Sequence, residues 1–267
     1  MIDLGKRNVL GVLVSAVDRE AAVARIIRAA REREPLRVTA LAVHGVMAGN
    51  RNLEHRGRLN GFDLVLPDGQ PVRWALNLMH RTGLRSPVRG TDLALGVLSA
   101  AEQGGLPVYF YGSTTGTLER LAARIRDEFP ALQVAGMAPS RFCAIDRSTA
   151  SEIAAQLRKS GARIVFVGLG CPRQETFVHA MADPVGVPMI AVGAAFDYLA
   201  GTLRPPPNVL MRWGLEWVWR LVLEPRRLWR RYALLNPVYV ILLGLQALGL
   251  YRPAALTSAA PIEALDA

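Results

Sequence analysis

Short apolar runs alternate with longer amphipathic stretches from the start of the chain to about residue 200. Each run is rich in Val, Ile, Leu and Tyr, and its shortness favours a buried strand over a helix. The predicted strands are Val9–Val14, Arg37–Val43, Asp63–Leu66, Val108–Tyr111, Gln133–Gly136, Ile164–Val167 and Met189–Val192. Strands separated by helices in this way indicate an α/β fold, a parallel sheet with helices on both faces.

Several of the intervening stretches begin with the polar residues that cap helices. A capping oxygen accepts from an N–H group of the first turn, which has no partner inside the helix. The predicted helices are Ala21–Arg31 after Asp18, Leu93–Gln103 after Thr91 or Asp92, Gly116–Glu128 after Thr115, and Glu152–Lys159 after Ser148 or Ser151. In such a fold, ligands bind beyond the carboxyl ends of the strands, so the residues after each strand are the candidates for chemistry.

The segment Tyr232–Tyr251 carries no charged residue and is long enough to cross a bilayer. Asn236 and Gln246 weaken that interpretation, and Pro237 is expected to restart the helix. Three interpretations stay open: a membrane span, an interfacial helix or hairpin, and a helix buried in the core.

Composition indicates contact with an apolar partner, since 51% of the residues are hydrophobic, 20% are charged and the mean hydropathy is +0.20. The net charge of +10 is concentrated near the C-terminus. The segment Leu203–Arg252 holds eight arginines, no lysine, two glutamates and four of the five tryptophans. Arginines interleaved with indoles indicate either a membrane surface or a nucleic-acid interface.

The start of the chain predicts no signal peptide, because the apolar run after Asn8 is short and acidic residues resume at Asp18. Cys143 and Cys171 are too few for a disulfide framework or a zinc site of four ligands. Both features predict a reducing, cytosolic compartment.

Asp68 follows a predicted strand directly, between Pro67 and Gly69. A carboxylate fixed at a strand end is well placed to act as a general base, because its backbone is held while its oxygens face the cleft. The other interpretation is a turn in which Asp68 caps the next helix.

Two glycine loops each follow a predicted strand and precede a helix. Gly112 and Ser113 belong to YFYGSTTG (109–116), where free N–H groups at a helix start suit a phosphate, although a capped turn explains the pattern nearly as well. The second loop, VGLGCPRQETF (167–177), has Arg173 where a dinucleotide fingerprint needs its third glycine, which disfavours NAD(P). Gln174 opens the next helix and is a candidate to bind a sugar or nucleotide through its amide, or else only to satisfy the helix end.

Asp197 follows the last predicted strand, where it is expected to bind a sugar or ribose hydroxyl or to cap a turn. The histidines at positions 44, 55, 80 and 179 show no metal-ligand spacing and no nucleophile elbow accompanies them. Serine-hydrolase and zinc chemistry are therefore disfavoured, and no cofactor is predicted. A loosely held divalent ion needs no dedicated motif, so that point stays open.

Five blocks along the chain together resemble a known family. They are PDGQPVRW (67–74), RGTDL (89–93), GLGCPRQE (168–175), GAAFDYLAG (193–201) and GLEWVWRLVLEPRRLWRRY (214–232). In this order, over roughly residues 36 to 232, they resemble the signature blocks of the WecG/TagA/CpsF glycosyltransferases, also called glycosyltransferase family 26.

The resemblance implies an inverting enzyme with a Rossmann-like core and a basic, Trp-rich helical appendage that binds the membrane. Such an enzyme moves a sugar from a UDP-sugar to a polyprenyl-diphosphate-linked saccharide at the cytoplasmic face of the bacterial inner membrane, in exopolysaccharide or cell-surface polysaccharide synthesis. The implied domains are residues 1–202 for the core, 203–252 for the appendage, bound peripherally or by a short embedded segment, and 253–267 for a flexible tail.

By motif match, the resemblance puts Asp68 on the proposed catalytic base. The expected donor and substrate residues are Thr39, Arg89, Asp92, Gly112, Ser113, Gln174 and Asp197, and the expected diphosphate or membrane residues are Arg220, Arg227 and Arg230. Arginine suits a diphosphate because its planar fork donates two hydrogen bonds at once. The expected partners are the UDP-sugar, the lipid-linked acceptor and an anionic membrane surface, with no nucleic acid; homo-oligomerisation stays open.

The sequence departs from the family pattern near the expected donor pocket. Leu41 stands where many members carry an asparagine, and Gln70 and Pro71 stand where a glycine is usual. The transferred sugar, a hexose or an N-acetylhexosamine, therefore stays open. The alternative to an enzyme is a nucleic-acid or membrane-surface binding protein that uses the basic C-terminal segment.

Overall fold

The structure is a computed structural model that describes residues 1–140 and 147–254. Within helices, the side chains at positions 147, 208, 227 and 231 lie outside the described part. So does nearly all of the expected tail over residues 253–267.

The chain begins with an antiparallel hairpin of β1 (Asp3–Val9) and β2 (Val12–Val17). The single strand predicted over Val9–Val14 is therefore wrong, because the chain reverses at its centre. Leu10 and Gly11 both have positive φ, 53° and 91°, which is the conformation that a two-residue hairpin turn requires. An apolar run alone did not reveal the turn, since leucine seldom adopts this conformation.

Six further strands form one parallel sheet in the order β4-β3-β8-β7-β5-β6. They are β3 (Leu36–Leu41), β4 (Leu64–Pro67), β5 (Val108–Gly112), β6 (Val134–Ala138), β7 (Ile164–Gly168) and β8 (Pro188–Ala191). Each of the other six predicted strands overlaps one of them, so the parallel sheet is confirmed. The hairpin lies beside the edge strand β4, where the backbone N–H of Val65 donates to Ser15 at 3.0 Å.

Twelve helices lie in the described residues. They are α1 (Arg19–Glu32), α2 (Val43–Arg51), α3 (Leu53–Asn60), α4 (Gln70–His80), α5 (Gly90–Gln103), α6 (Thr115–Glu128), α7 (Arg147–Lys159), α8 (Arg173–Val185), α9 (Ala195–Leu199), α10 (Asn208–Arg212), α11 (Glu216–Leu223) and α12 (Pro225–Ala247). Helices α2, α3, α4, α7, α8 and α12 cover one face of the sheet, and α1, α5, α6 and α9 cover the other. Helices on both faces are thereby confirmed.

Three of the predicted helix caps differ from the structure, and one of them belongs to α7, which begins at Arg147 and so contains both Ser148 and Ser151. The Asp18 carboxylate does accept from the N–H of Ala21 at 2.9 Å. Helix α6, however, is capped by Thr114, which accepts from Thr117, and not by Thr115. Helix α5 begins after Arg89 without a side-chain cap, so neither Thr91 nor Asp92 precedes it.

Helix α12 is continuous through Pro237, so the prediction that this residue restarts the helix is wrong. Its inner face packs on the core: Tyr239 is 2% exposed and donates to the carbonyl of Pro71 at 3.2 Å. Near its end, Gln246 accepts from the N–H of Leu10 at 2.8 Å. These contacts along the second half hold the helix in line despite the proline. One face of this helix packs against the core, whereas Leu234, Val240 and Ile241 are exposed, so the helix is not buried as a whole and the interfacial interpretation stays open.

No helix among the described residues combines the length and the apolar character that crossing a bilayer demands.

The packing of α12 predicts that Tyr239→Ala lowers the free energy of unfolding by about 3–5 kcal/mol, the cost typical of truncating a buried aromatic side chain. Tyr239→Phe loses only the bond to Pro71 and is expected to cost about 1 kcal/mol. Urea unfolding of the full chain measures both. The neighbouring Val240, which is 66% exposed, provides the matched control, because Val240→Ala should change stability by less than about 0.5 kcal/mol. Equal effects at 239 and 240 would show that α12 does not pack as described.

Candidate active site

Asp68 lies at the carboxyl end of β4, held by its backbone. Its N–H donates to the carbonyl of Leu41 at 3.1 Å, and the preceding carbonyl of Pro67 accepts from Val88 at 2.9 Å. Gly69 then turns the chain with φ of +78° before α4 begins. These bonds hold the backbone of Asp68 at the end of the strand, where the sequence predicts it, and the side chain is half-buried.

The pKa of the Asp68 carboxyl is raised to about 7, first by burial and then by the negative charge of Glu216. The guanidinium groups of Arg89 and Arg220 oppose this rise, and Asp92 adds to it. A carboxyl with a raised pKa takes up a proton more readily near neutral pH than an ordinary aspartate does. A general base works best with a pKa near the working pH.

Arg89 connects the sheet edge to the C-terminal helices. Its Nε donates to the Glu216 carboxylate at 2.8 Å and its Nη2 lies 2.7 Å from the same group. The guanidinium also donates to Asp92 and to the carbonyl of Met211, both at 3.4 Å. Arg89 and Glu216 are both largely buried, so this pair is shielded from water more than a surface salt bridge is.

Arg220 and Tyr198 complete the group of side chains around Asp68. Arg220 lies one turn along α11 from Glu216 and donates to Glu224 at 3.5 Å. Its Nε is buried and lacks a hydrogen-bond partner within residues 1–140 and 147–254. Burial raises the pKa of the Tyr198 phenol, which Arg220 opposes and Asp68 reinforces.

Sequence reasoning did not select Glu216, although it is central to this arrangement. An acidic residue is not expected to bind a diphosphate, because the two charges repel. The signal was present, because Glu216 is one of only two acidic residues among the eight arginines of Leu203–Arg252. An acidic residue among many arginines is a candidate for an ion pair. Here the partner is Arg89, which is distant in the sequence.

Thr39 and Gln174 meet at a second carboxyl group, Glu175, that the sequence did not single out. The Thr39 hydroxyl donates to Glu175 at 3.0 Å, and the Gln174 amide donates to the same oxygen at 2.8 Å. Glu175 is fully buried, which raises its pKa; hydrogen bonds from Gln174, Thr39 and Cys171 oppose the rise. The Gln174 Oε1 lies near Gly193 and has no partner among the described residues.

His55 brings a potential metal ligand to the same region. A ligand atom of His55, one of Cys171 and one of Glu175 all lie within 4.8 Å of one another. Burial lowers the pKa of His55 to about 4, so the imidazole is neutral at physiological pH. Sequence spacing did not reveal this grouping, because more than a hundred residues separate His55 from Cys171.

The two glycine loops meet where β5 and β7 end. Gly112 has φ of +116°, and a Cβ there would lie 2.9 Å from the carbonyl of Gly168, so only glycine fits. The N–H of Ser113 donates to that carbonyl at 3.0 Å, and Ser113 itself has φ of 63°. The helices after β5 and β7 lead to opposite sides, towards β6 and β8, which is the arrangement at which open α/β sheets form a binding crevice.

The remaining predicted residues lie on α9 and α12. Asp197 lies on α9, where its backbone carbonyl accepts from Thr202. Arg230 is exposed and stacks over Trp229, with its Cζ 5.4 Å from the ring centroid. Arg227 lies on α12, but its side chain is outside the described part of the structure.

Comparisons with known proteins match nearly the whole chain. The sequence model of the glycosyl transferase WecG/TagA/CpsF family matches residues 7–253. A protein of Bacillus spizizenii (strain ATCC 23059 / NRRL B-14472 / W23), named N-acetylglucosaminyldiphosphoundecaprenol N-acetyl-beta-D-mannosaminyltransferase, is 33% identical over 192 residues, 71% of each chain. A protein of the same name from Bacillus subtilis (strain 168) is 30% identical over 175 residues, 65% of each chain.

The geometry predicts that Glu216→Gln lowers the pKa of Asp68 from about 7 towards the ordinary value of 3.8. The substitution removes a neighbouring negative charge and frees the positive charge of Arg89, and both changes favour the ionised carboxylate. A carbon-13 NMR titration of the Asp68 carboxyl, assigned with Asp68→Asn, measures the shift. Asp92→Asn is the matched control and should lower the pKa less, because Asp92 is the weakest of the charges that act on Asp68. An equal or larger shift in the control would contradict this account.

Proposed function

Because the chain belongs to the WecG/TagA/CpsF family of glycosyl transferases, we propose that it is an inverting enzyme acting on a polyprenyl-diphosphate-linked saccharide. The proposed donor is a UDP-sugar that carries a hexose or an N-acetylhexosamine. The observation that most supports this function is the position of Asp68 at the end of β4, with Glu216, Arg89 and Arg220 close enough to act on the pKa of its carboxyl. Such a group supplies a base and adjacent cations at one strand end, which a single displacement at an anomeric carbon requires.

Asp68 is the proposed general base. It takes the proton from the acceptor hydroxyl as that oxygen attacks the anomeric carbon from the side opposite the diphosphate. The new glycosidic bond forms while the bond from carbon to the diphosphate oxygen breaks, and UDP leaves with the electron pair. One displacement inverts the configuration at the anomeric carbon.

Arg89 and Arg220 are the proposed partners of the departing diphosphate. The buried Nε of Arg220 has no partner within the described residues and is available for a phosphate oxygen. Arg89 is already oriented by Glu216, so its fork is held in place before substrate arrives. Arg227 and Arg230, both on α12, are proposed to contribute positive charge that attracts the diphosphate or an anionic membrane surface.

The donor pocket is proposed to lie between the glycine loops and the Thr39–Gln174 pair, with Asp92 and Asp197 at its border. Gly112 and Ser113 allow the backbone to approach a nucleotide closely. The buried Oε1 of Gln174 lacks a partner among the described residues, and a sugar hydroxyl would supply one. The relatives are named for N-acetylmannosamine transfer to N-acetylglucosaminyl-diphosphoundecaprenol, so these sugars are the first to test. Other UDP-hexoses should be tested beside them, because Leu41 stands where many family members carry an asparagine.

The proposed site of action is the cytoplasmic face of the bacterial inner membrane, reached by the segment 203–252. Trp213 is 70% exposed and Val209 65%, and Arg212 lines the same shallow concavity. On α12, Trp229 is half exposed beside Arg230. Indoles favour the headgroup region and arginines favour anionic lipids, so these side chains suit peripheral binding.

We expect Asp68→Asn to reduce sugar transfer by about 10²–10⁴-fold, the usual contribution of a general base. UDP binding should persist, because the arginines and glycine loops remain. Release of UDP from a panel of UDP-sugars with a short polyprenyl-diphosphate acceptor measures transfer. Unchanged turnover would remove the base assignment, and loss of activity together with UDP binding would point to a damaged pocket.

The folding control for Asp68→Asn follows from its pKa. The folded-state pKa of about 7 exceeds the ordinary 3.8, so the wild-type carboxyl loses stability as the pH rises between these values. Asparagine carries no charge, so the variant should gain stability relative to wild type over this window and keep a constant difference above it. If the chain were instead a nucleic-acid binding protein, Asp68→Asn would leave its binding activity unchanged. In the proposed enzyme the same substitution reduces sugar transfer.

Membrane association should depend on the exposed side chains rather than on the helices alone. Deleting Leu203–Ala267 would also remove Tyr239 from the core, so point substitutions are the cleaner test. We expect Trp213→Ala with Trp229→Ala to weaken binding to anionic vesicles, and Arg230→Gln to weaken it about fivefold. Co-sedimentation with vesicles measures both.

Val134→Ala is the matched control for vesicle binding, because Val134 is exposed on β6, at the opposite edge of the sheet from β4. It should leave binding unchanged. Vesicle binding that survives the tryptophan substitutions would contradict the proposed membrane surface.

A further inference from the structure

His55 is a buried polar side chain that lacks hydrogen-bond partners. Its ring lies on α3 and is only 4% exposed, yet neither Nδ1 nor Nε2 has a partner in the described part of the chain. A neutral imidazole has one N–H donor and one acceptor nitrogen, and buried groups of both kinds are nearly always bonded. Some ligand or solvent group is therefore expected beside this ring.

Two further ligand groups face His55 from another part of the chain. Cys171 lies in the loop after β7 and Glu175 in the first turn of α8, and the three ligand atoms lie within 4.8 Å of one another. The set supplies one nitrogen, one sulfur and one oxygen. This mixture suits Zn²⁺, which binds all three donors at about 2.0–2.3 Å and so needs only a small contraction of the cluster.

We infer that His55, Cys171 and Glu175 form a binding site for a zinc-like divalent cation, next to Thr39 and Gln174. A thiolate and a carboxylate together balance the two positive charges of the ion, so the loaded site is neutral overall. A water molecule can take the fourth position on the partly exposed side of Cys171.

The surroundings of Glu175 already resemble those of a metal-bound carboxylate. Thr39 and Gln174 both donate to one of its oxygens, which fixes the orientation of the group and leaves the other oxygen for the ion. Hydrogen bonds of this kind to a ligand typically tune metal affinity. The ion would link α3 to the start of α8. It would thereby hold Glu175 in place, and with it the side chains of Gln174 and Thr39 that donate to Glu175. This inference does not rest on the proposed sugar transfer.

A buried water molecule is the competing occupant, since it also bonds to several polar groups at once. Zinc and water differ in what they require of the thiol. A metal needs the Cys171 thiolate as a ligand, whereas a water bridge tolerates serine at that position.

The test is metal binding by the full-length chain, freed of metal with a chelator and titrated with Zn²⁺. We expect one equivalent in the wild type, measured by elemental analysis after gel filtration, with a rise in the melting temperature. Cobalt substitution should give a thiolate-to-metal charge-transfer absorption. Cys171→Ser and His55→Leu should each weaken binding by more than about 100-fold, because even the loss of outer hydrogen bonds costs about 10–100-fold.

His179→Gln is the matched control, since it removes a half-buried histidine of α8 that lies outside the cluster. This variant should bind zinc as the wild type does. If His55→Leu fails to fold, judged by circular dichroism, Cys171→Ser still decides, because Cys171 is partly exposed. A folded wild type that binds no zinc, or a Cys171→Ser variant that binds it equally well, overturns the inference in favour of water.

Discussion

The candidate active site depends on the ion pair between Arg89 and Glu216. This contact joins a loop at the carboxyl edge of the sheet to α11, and thus covers Asp68 with the C-terminal part of the chain. The cover removes water from the carboxyl and adds a second negative charge, and both effects raise its pKa. Arg89 and Arg220 limit the rise, so the group titrates near neutrality. Arg89 and Glu216, which are far apart in the chain, thereby help to set the pKa of Asp68.

A second polar cluster lies deeper, around Glu175. Here a fully buried carboxyl group orders Thr39 and Gln174, the side chains that the family resemblance assigns to substrate. Buried polar groups carry a high cost unless every member has a partner. The hydrogen bonds orient Thr39 and Gln174, and atoms on Gln174, Glu175 and His55 that lack partners within residues 1–140 and 147–254 identify where the cluster is able to accept a ligand.

The C-terminal segment explains how the chain combines a positive mean hydropathy with a compact core. Part of its apolar surface is used internally, since Tyr239 and its neighbours on α12 pack against α2, α4 and the hairpin. Another part, around Trp213 and Trp229, stays exposed among arginines. The apolar character of this segment therefore reflects two different surfaces of a helical unit, and not one continuous apolar span.

Local pattern determined the strands of the parallel sheet, the family, and the place of Asp68, because strand periodicity, turn residues and signature blocks are all properties of neighbouring residues. It failed at Leu10, whose positive φ is imposed by the pairing of two strands, and at Pro237, where packing of the second half of α12 overrides the local tendency to break. Local pattern also did not identify Glu216, Glu175 and His55. The role of each depends on a partner that is distant in the sequence. Burial, partner charges and ligand geometry exist only once the chain has folded, so the titration of Asp68 and the grouping of His55 with Cys171 were decided by the tertiary structure alone.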